Sequence, residues 1–169
     1  MPIAHCLFIT IKNIFLKELI IYTDGASRGN PGPGGYGAIL RYGGKEKELS
    51  AGYRRTTNNR MELLAVIKAL EALNRDGLTI TVFSDSQYVV KAVTEGWLKN
   101  WLATNFKGGK KNKDLWRRYA ELAAKHNITF KWVRGHADNA FNNRCDMLAT
   151  EAADGKNLLT DEGYESGEN

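Results

Sequence analysis

Four acidic residues stand where carboxylates from distant parts of the chain could meet. Asp24 follows an apolar, β-branched run at residues 19–23, and Asp85 comes shortly after a similar run at residues 78–83. Each run predicts a strand, and ligand sites of open α/β sheets form beyond the carboxyl ends of strands. Glu62 and Asp146 fall in segments with a helical pattern, from which they could reach the same edge of a sheet.

A cluster of these four carboxylates would need a counterion, because like charges within about 4–6 Å of one another disfavour ionisation. Hard oxygen ligands without a set of cysteines or histidines favour Mg²⁺ or Mn²⁺ over zinc. Two such ions about 4 Å apart can hold the attacking water and the leaving oxygen of a phosphodiester. The spacing therefore indicates a candidate site for magnesium-dependent phosphodiester chemistry.

Each acid also has a purely structural interpretation. Asp24 precedes a glycine, which is a common turn pair, and Asp85 could cap the helix that follows it. Glu62, three residues after Asn59, could be the glutamate of a capping box. Asp146 could be an exposed helix residue. Taken one at a time, the structural interpretations are favoured, and spacing alone leaves both open.

The surrounding pattern predicts an α/β fold, with a mixed sheet flanked by helices. The five glycines and two prolines among residues 29–37 predict a sharply bending loop, and Gly43 and Gly44 predict a hairpin. Strands are predicted at 19–23, 37–42, 46–53, 78–83 and 128–133, and helices at 60–73, 86–93, 97–105, 114–126 and 143–153.

A chain of 169 residues with 43% hydrophobic and 25% charged residues fits one globular domain. We place this domain at residues 16–155, between an N-terminal extension of unknown structure at 1–15 and an acidic tail at 156–169. The apolar run in the extension lacks the features of a secretory signal and is too short to span a membrane. Cys6 and Cys145 match neither a disulfide framework nor a zinc site, which is typical of a reducing, cytoplasmic setting.

The positive charge is concentrated in one part of the chain. Residues 97–118 hold seven Lys and Arg side chains against one acid, whereas residues 151–169 hold six acids against one lysine. A basic patch of this kind is expected where a polyanion is bound, although a solvated, lysine-rich helix face is the alternative. Trp97, Trp101 and Trp116 lie in the same stretch, which suits nucleic-acid binding. The spacing of Val93, Trp97 and Trp101 instead predicts that at least one of them faces the core.

Four longer motifs resemble those of the type 1 ribonuclease H family. Residues 22–38 read YTDGASRGNPGPGGYGA, residues 56–63 read TTNNRMEL, residues 84–89 read SDSQYV and residues 132–137 read WVRGHA. Asn142 and the sequence RCD at 144–146 follow. The resemblance runs from about residue 19 to about residue 153, and the basic insert places it nearest to bacterial ribonuclease HI.

This resemblance implies a five-stranded mixed sheet, with strands 1–3 antiparallel and strands 4 and 5 parallel to strand 1. It implies endonucleolytic cleavage of the RNA strand of RNA–DNA hybrids, leaving 5′-phosphate and 3′-hydroxyl ends. Asp24 would bridge two Mg²⁺ ions, Asp146 would join it at the ion that activates water, and Glu62 and Asp85 would join it at the ion on the leaving oxygen. The ions would lower the pKa of the water and neutralise charge that grows on the phosphate.

The resemblance also gives a role to His136, which follows Gly135 at the end of the fifth predicted strand. The family uses this position in protonation of the leaving group or in product release, and histidine titrates in a range that suits proton transfer. The loop departs from the common pattern, with Asp138 where a glycine is usual and Asn143 where a glutamate is usual. We therefore expect Asp138, if it lies close, to raise the pKa of His136.

Further residues would bind the substrate if the resemblance holds. Asn58, Asn59 and Gln87 carry amides that can donate and accept hydrogen bonds in the minor groove, where 2′-hydroxyls distinguish RNA from DNA. Thr57 and Asn30 would form a pocket for a phosphate of the DNA strand, although Asn30 could serve only the turn before its proline. The basic protrusion at about 97–118 would contact phosphates of the DNA strand, with candidate residues Trp97, Lys107, Lys110 and Lys111.

Phosphate contacts carry no sequence information and weaken with salt, so binding should be insensitive to base sequence and sensitive to ionic strength. Arg60 and Arg144 are expected to pack or form ion pairs. The expected partner is an RNA–DNA hybrid, with no membrane and no obligate protein partner, and the protein is expected to be a monomer. Two rival interpretations are a DNA-directed nuclease or strand-transfer enzyme on the same fold and a hybrid-binding module without activity.

Overall fold

The computed structural model describes residues 18–135 and 138–169. Five strands and six helices follow one another in this part of the chain. The strands are β1 (Leu19–Ser27), β2 (Gly32–Tyr42), β3 (Lys45–Thr56), β4 (Thr79–Ser84) and β5 (Asn127–Trp132). The helices are α1 (Asn58–Glu71), α2 (Gln87–Thr94), α3 (Trp97–Ala103), α4 (Lys113–Ala123), α5 (Ala140–Ala153) and the short α6 (Glu162–Glu165). Every strand and helix predicted from the sequence is present, with boundaries that differ by a few residues.

The strands form one sheet in the order β3-β2-β1-β4-β5. β1 pairs antiparallel with β2, and β2 pairs antiparallel with β3 through the Gly43–Gly44 hairpin. β4 lies parallel to β1, and β5 lies parallel to β4. The predicted five-stranded mixed sheet is therefore confirmed.

The largest part of the core lies between the sheet and α1. Residues 60–67 of α1 are all buried, together with Ala69 and Leu70, so this helix is enclosed on nearly every side. α4 covers α1 with its buried residues Leu115, Trp116 and Tyr119. A helix enclosed in this way has little freedom to shift, so the side chains at its N-terminus are held firmly relative to the sheet.

The opposite face of the sheet is covered by α5, and the glycine-rich segment makes this possible. The sequence predicts a bending loop at residues 29–37, but residues 32–37 belong to β2, so that prediction is wrong for most of the segment. A Cβ atom on Gly37 would overlap the carbonyl oxygen of Cys145, and one on Gly35 would overlap that of Ala149. These glycines therefore let the backbone of α5 approach the strand.

The acidic segment at 156–169 packs against the domain. The backbone N–H of Leu159 donates a hydrogen bond to the carbonyl of Gly52 at 2.8 Å, and the carbonyl of Leu159 accepts one from the backbone N–H of Arg54 at 2.9 Å. α6 then follows, capped by the side chain of Asp161. Within the described ranges, no helix combines the length and the apolar character needed to cross a membrane.

Candidate active site

Asp24 and Asp85 lie side by side because their strands are paired in register. Thr23 of β1 is the parallel partner of Ser84 of β4, so the residue after each occupies the same edge of the sheet. Asp24 is almost fully buried, with 4% of its surface exposed, and Asp85 is half-buried. The predicted adjacency of Asp24 and Asp85 is therefore present, but Asp24 lies within β1, which continues to Ser27, and not at the end of the strand as the sequence predicts.

Glu62 reaches this edge from the first turns of α1. The helix begins after Thr57, whose side-chain oxygen accepts a hydrogen bond from the backbone N–H of Arg60. A Cβ atom on Gly25 would overlap the backbone nitrogen of Glu62, so the absence of a side chain there lets α1 lie against β1. One carboxylate oxygen from each of Asp24, Glu62 and Asp85 can then be chosen so that all three lie within 4.8 Å of one another.

These carboxylates make an electrostatically unfavourable group. Burial, together with the charge of Asp85, raises the pKa of Asp24 from 3.8 to about 8. Burial and the charge of Asp24 likewise raise the pKa of Glu62 well above its usual value. The Oε2 atom of Glu62 is buried and has no hydrogen-bond partner among the described residues. Buried carboxylates that repel one another, one of them with an oxygen that no donor of the described chain reaches, fit a divalent cation such as Mg²⁺.

Asp146 lies on α5, half-buried, outside the group of three. Its charge is nevertheless close enough to contribute to the raised pKa of Asp24. The close contact of α5 with the glycines of β2 is what brings Asp146 toward β1. His136 lies outside the described residues, whereas its neighbour Asp138 is exposed.

The structural alternatives for Asp24, Asp85 and Glu62 fail for identifiable reasons. β1 continues past Asp24 to Ser27, so Asp24 does not begin a turn. The cap of α2 is Ser86, whose side chain accepts from the backbone N–H of Val89, and not Asp85. The cap of α1 is Thr57, which puts Glu62 beyond the capping-box position. The first turns of the helices are thus capped by neighbouring hydroxyls, and the carboxylates are not needed for that purpose.

A second feature, which we call the Thr57 groove, has a volume of about 540 Å³. Five residues predicted to bind substrate line it, namely Asn30, Thr57, Asn59, Lys110 and Lys111. The Oδ1 atom of Asn30 accepts a hydrogen bond from the backbone N–H of Asn58 at 3.1 Å, so Asn30 fixes its loop to the start of α1 and does more than serve the turn. Hydroxyl, amide and ammonium groups on opposite walls of a groove can contact phosphates of a nucleic-acid backbone.

The other predicted contact residues have different surroundings. Gln87 and Lys107 are exposed, and so is Trp97, with 38% of its surface accessible. In contrast, Val93 and Trp101 pack against the core, where Trp101 contacts the fully buried Trp116, so the prediction that part of the stripe of Val93, Trp97 and Trp101 faces the core is confirmed. Arg144 pairs with Glu48 at 2.7 Å.

Sequence reasoning missed several residues of the Thr57 groove, among them Tyr88, Asn112 and Tyr164. Asn112 has a positive φ of 65° and follows the two lysines of the groove, and its side chain donates to the hydroxyl of Tyr88 at 3.1 Å. The signal available in the sequence was the position of Asn112 inside the basic stretch. Tyr164 lies in the predicted acidic tail at 156–169, and nothing in its local sequence connects it with the groove.

Comparison with known proteins agrees with this geometry. The profile of the family described as RNase H matches residues 16–154. The chain belongs to the ribonuclease H family. The ribonuclease H of Syntrophus aciditrophicus (strain SB) is 56% identical over 152 residues, which cover 88% of this chain and 87% of that protein.

Two solved ribonucleases H have the same fold. LC9-RNase H1, a type 1 ribonuclease H, is 31% identical with a TM-score of 0.74, over 89% of this chain and 80% of that one. LC11-RNase H1, which was solved in complex with an RNA/DNA hybrid, is 28% identical with a TM-score of 0.62, over 80% of this chain and 96% of that one. The chain is therefore a type 1 ribonuclease H, an enzyme of a metal-dependent nuclease family.

Proposed function

We propose that this ribonuclease H hydrolyses the RNA strand of RNA–DNA hybrids at the carboxylate edge formed by Asp24, Glu62, Asp85 and Asp146. The observation that carries the proposal is the convergence of three buried or half-buried carboxylates within 4.8 Å, beside a groove lined by lysines and amides. The LC11-RNase H1 complex supports the choice of a hybrid as substrate, because that relative binds one.

The carboxylates would hold two divalent cations, with Mg²⁺ preferred and Mn²⁺ able to replace it. Asp24 would be shared by both ions, Asp146 would contribute at one, and Glu62 and Asp85 at the other. When bound there, the ions supply an activated water and neutralise charge that develops on the scissile phosphate. The chain's own contribution is to gather acidic oxygens at a buried edge, where water competes poorly for the ligands. The products would be 5′-phosphate and 3′-hydroxyl ends.

His136 would protonate the leaving group or assist product release, and the position of its neighbour Gly135 beside Asp85 supports this role. Asn58, Asn59 and Gln87, all exposed, would hydrogen-bond to groups in the minor groove of the hybrid. Thr57 and Asn30 would hold a phosphate of the DNA strand. The backbone of that strand would be contacted further along by Lys107, Lys110, Lys111 and Trp97.

We also propose that the enzyme acts as a monomer in the cytoplasm. Light scattering of the purified protein would test its oligomeric state, and cell fractionation would test its location.

The deciding experiment compares labelled RNA–DNA hybrid, duplex DNA and duplex RNA as substrates, each with Mg²⁺ and with a chelator. We expect cleavage of the hybrid alone, in its RNA strand, and only with the metal. Cleavage of duplex DNA would favour a DNA-directed nuclease on this fold. Binding of the hybrid without cleavage in any metal would favour a binding module.

The two lysines of the Thr57 groove give a separate prediction. We expect the double variant Lys110→Gln/Lys111→Gln to make the slope of log K for hybrid binding against log salt concentration shallower by about one to two units. The reason is that a variant with fewer phosphate contacts releases fewer counterions when it binds. The kcat at saturating hybrid should not change. The matched control is Lys45→Gln/Lys47→Gln, since those lysines lie on β3 at the far end of the sheet. Equal slopes for the wild type and the groove variant would contradict the assignment.

A further inference from the structure

A buried ion-pair cluster joins three distant parts of the chain. The guanidinium of Arg60, on α1, has 1% of its side-chain surface exposed. It donates to both carboxylate oxygens of Asp114, on α4, at 2.8 and 2.6 Å. It also donates to both oxygens of Asp161, in the C-terminal segment, at 2.7 and 2.8 Å. We call Arg60, Asp114 and Asp161 the Arg60 cluster.

Both carboxylate oxygens of Asp161 accept hydrogen bonds in addition to those from Arg60. Its Oδ2 atom also accepts from the hydroxyl of Thr56 at 2.7 Å, and its Oδ1 atom caps α6. Burial opposes ionisation, but the hydrogen bonds from Arg60 and Thr56 outweigh it and lower the pKa of Asp161. A Cβ atom on the nearby Gly163 would overlap Oδ2 of Asp114, so the C-terminal segment lies directly on the cluster. This packing is specific, because one extra methyl group would separate its parts.

The Arg60 cluster connects the two walls of the Thr57 groove. On one wall, Arg60 lies in the first turn of α1, directly after Asn59 and three residues after Thr57. The other wall includes the loop at residues 104–112 between α3 and α4, which we call the basic loop. Asn112 ends this loop, and its Oδ1 atom lies 3.4 Å from Nη1 of Arg60. Arg60 therefore belongs to the segment that carries Thr57, and its guanidinium contacts the segment that follows the lysines.

We propose that Asp161 is a positioning residue for hybrid binding: it holds Arg60 against α4, and so keeps the basic loop at the distance from Thr57 at which both walls contact one nucleic-acid backbone. The inference rests on the proposed function, since it names a further determinant of the same groove. Tyr164 and Asn169 of the C-terminal segment line that groove, which is consistent with a segment that shapes it.

The expected effect of losing Asp161 on hybrid affinity follows from the free energy needed to order the basic loop on binding. A groove whose walls are already fixed binds its ligand without ordering a loop, whereas a loop that must be ordered on binding weakens the affinity. The carboxylate edge is formed by β1, β4, α1 and α5, none of which includes Asp161. Loss of Asp161 should therefore raise KM for the hybrid and leave kcat nearly unchanged.

The test uses the full-length variant Asp161→Asn, which keeps the shape of the side chain and removes its charge. The matched control is Glu71→Gln, because Glu71 accepts a hydrogen bond from Arg118 at 3.0 Å and so joins the same two helices far from the groove. A second control, the buried core variant Ile67→Val, shows what loss of stability alone does. All proteins are compared well below their melting temperatures.

Two measurements separate the inference from the proposed function. The first is the amide hydrogen exchange of residues 107–113 without nucleic acid, which we expect to be roughly tenfold faster in Asp161→Asn than in either control. The second is hybrid cleavage, for which we expect KM to rise about fivefold with kcat within about twofold of the wild type. If the wild type does not cleave hybrids, the proposed function fails while the exchange result still reports on the loop.

Three results would overturn the inference. One is an exchange rate in Asp161→Asn that equals the rate in the controls. Another is a KM that changes no more than in Ile67→Val, which would make Asp161 a stabilising residue only. The third is tighter binding of the hybrid by Asp161→Asn, which would mean that the acidic segment opposes the substrate.

Discussion

The variant Asp24→Asn is expected to lose hybrid cleavage by about a thousandfold or more and, at the same time, to be more stable than the wild type without metal. The loss follows because Asp24 is the carboxylate shared by both proposed cation positions, and transition-state stabilisation of this kind is large. The gain follows from the raised pKa of Asp24. An amide in its place carries no charge, so its repulsion of Asp85 and its effect on the charge of Glu62 are removed.

The pH dependence of stability explains why Asp24→Asn is expected to be more stable than the metal-free wild type. The pKa of Asp24 is 3.8 before folding and about 8 in the folded protein. Between these values the folded state binds more protons than the unfolded state, so the free energy of unfolding of the metal-free wild type falls as the pH rises. We expect Asp24→Asn to show a weaker fall and to be roughly 2–4 kcal/mol more stable near pH 8.

Urea unfolding of both proteins in chelator, at pH values from about 5 to about 8, measures this difference. Thermal unfolding with and without Mg²⁺ measures the metal: the wild type should be stabilised by Mg²⁺ and Asp24→Asn much less. The assignment of Asp24 would be wrong if the variant kept full magnesium-dependent cutting, and the electrostatic explanation would be wrong if the two proteins had parallel pH profiles.

Gly25→Ala is expected to disable the enzyme although glycine 25 carries no chemical group. Its added Cβ would overlap backbone atoms of Met61 and Glu62, and backbone cannot rotate away as a flexible side chain can. Relief requires α1 to move from β1, which would carry Glu62 away from Asp24. We expect a loss of about 1–3 kcal/mol in stability from overpacking and of about a hundredfold in cleavage from misplacement of the carboxylate.

Gly155→Ala provides the control, because its added Cβ would come no closer than 3.2 Å to its nearest neighbour, the carbonyl oxygen of Ala152. Titration calorimetry with Mg²⁺ and the hybrid-cleavage assay measure the two variants side by side. Normal metal affinity and normal cleavage in Gly25→Ala would show that α1 tolerates the shift and that its close approach does not set the position of Glu62.

The sequence was sufficient to predict that Asp24 and Asp85 lie together, although it did not show that β1 continues past Asp24. Asp24 and Asp85 each follow an apolar run, and parallel pairing of the two strands places them together. It was not sufficient for the segment at 29–37. Glycines at a turn and glycines beneath a helix look alike in a sequence, because the partner that requires them lies more than a hundred residues further along the chain.

The C-terminal segment shows a second limit. A run of acids beyond the last predicted helix is typical of a solvated tail, and local pattern gives no reason to pair one of them with an arginine. Asp161 is nevertheless buried because Arg60, 101 residues earlier, offers a guanidinium in the core. Buried ion pairs depend on two positions that no periodicity connects, so this contact and the groove residue Tyr164 required the structure.

The contact between α5 and the glycines of β2 limits how these positions can change together in evolution. Most core contacts join two side chains, so an enlargement on one side can be offset by a reduction on the other. Here the atoms that Gly35 and Gly37 approach are carbonyl oxygens of Ala149 and Cys145, which every amino acid carries. No replacement in α5 can make room for a side chain beneath it, so these two positions should stay glycine in relatives whose α5 has diverged freely on its outward face.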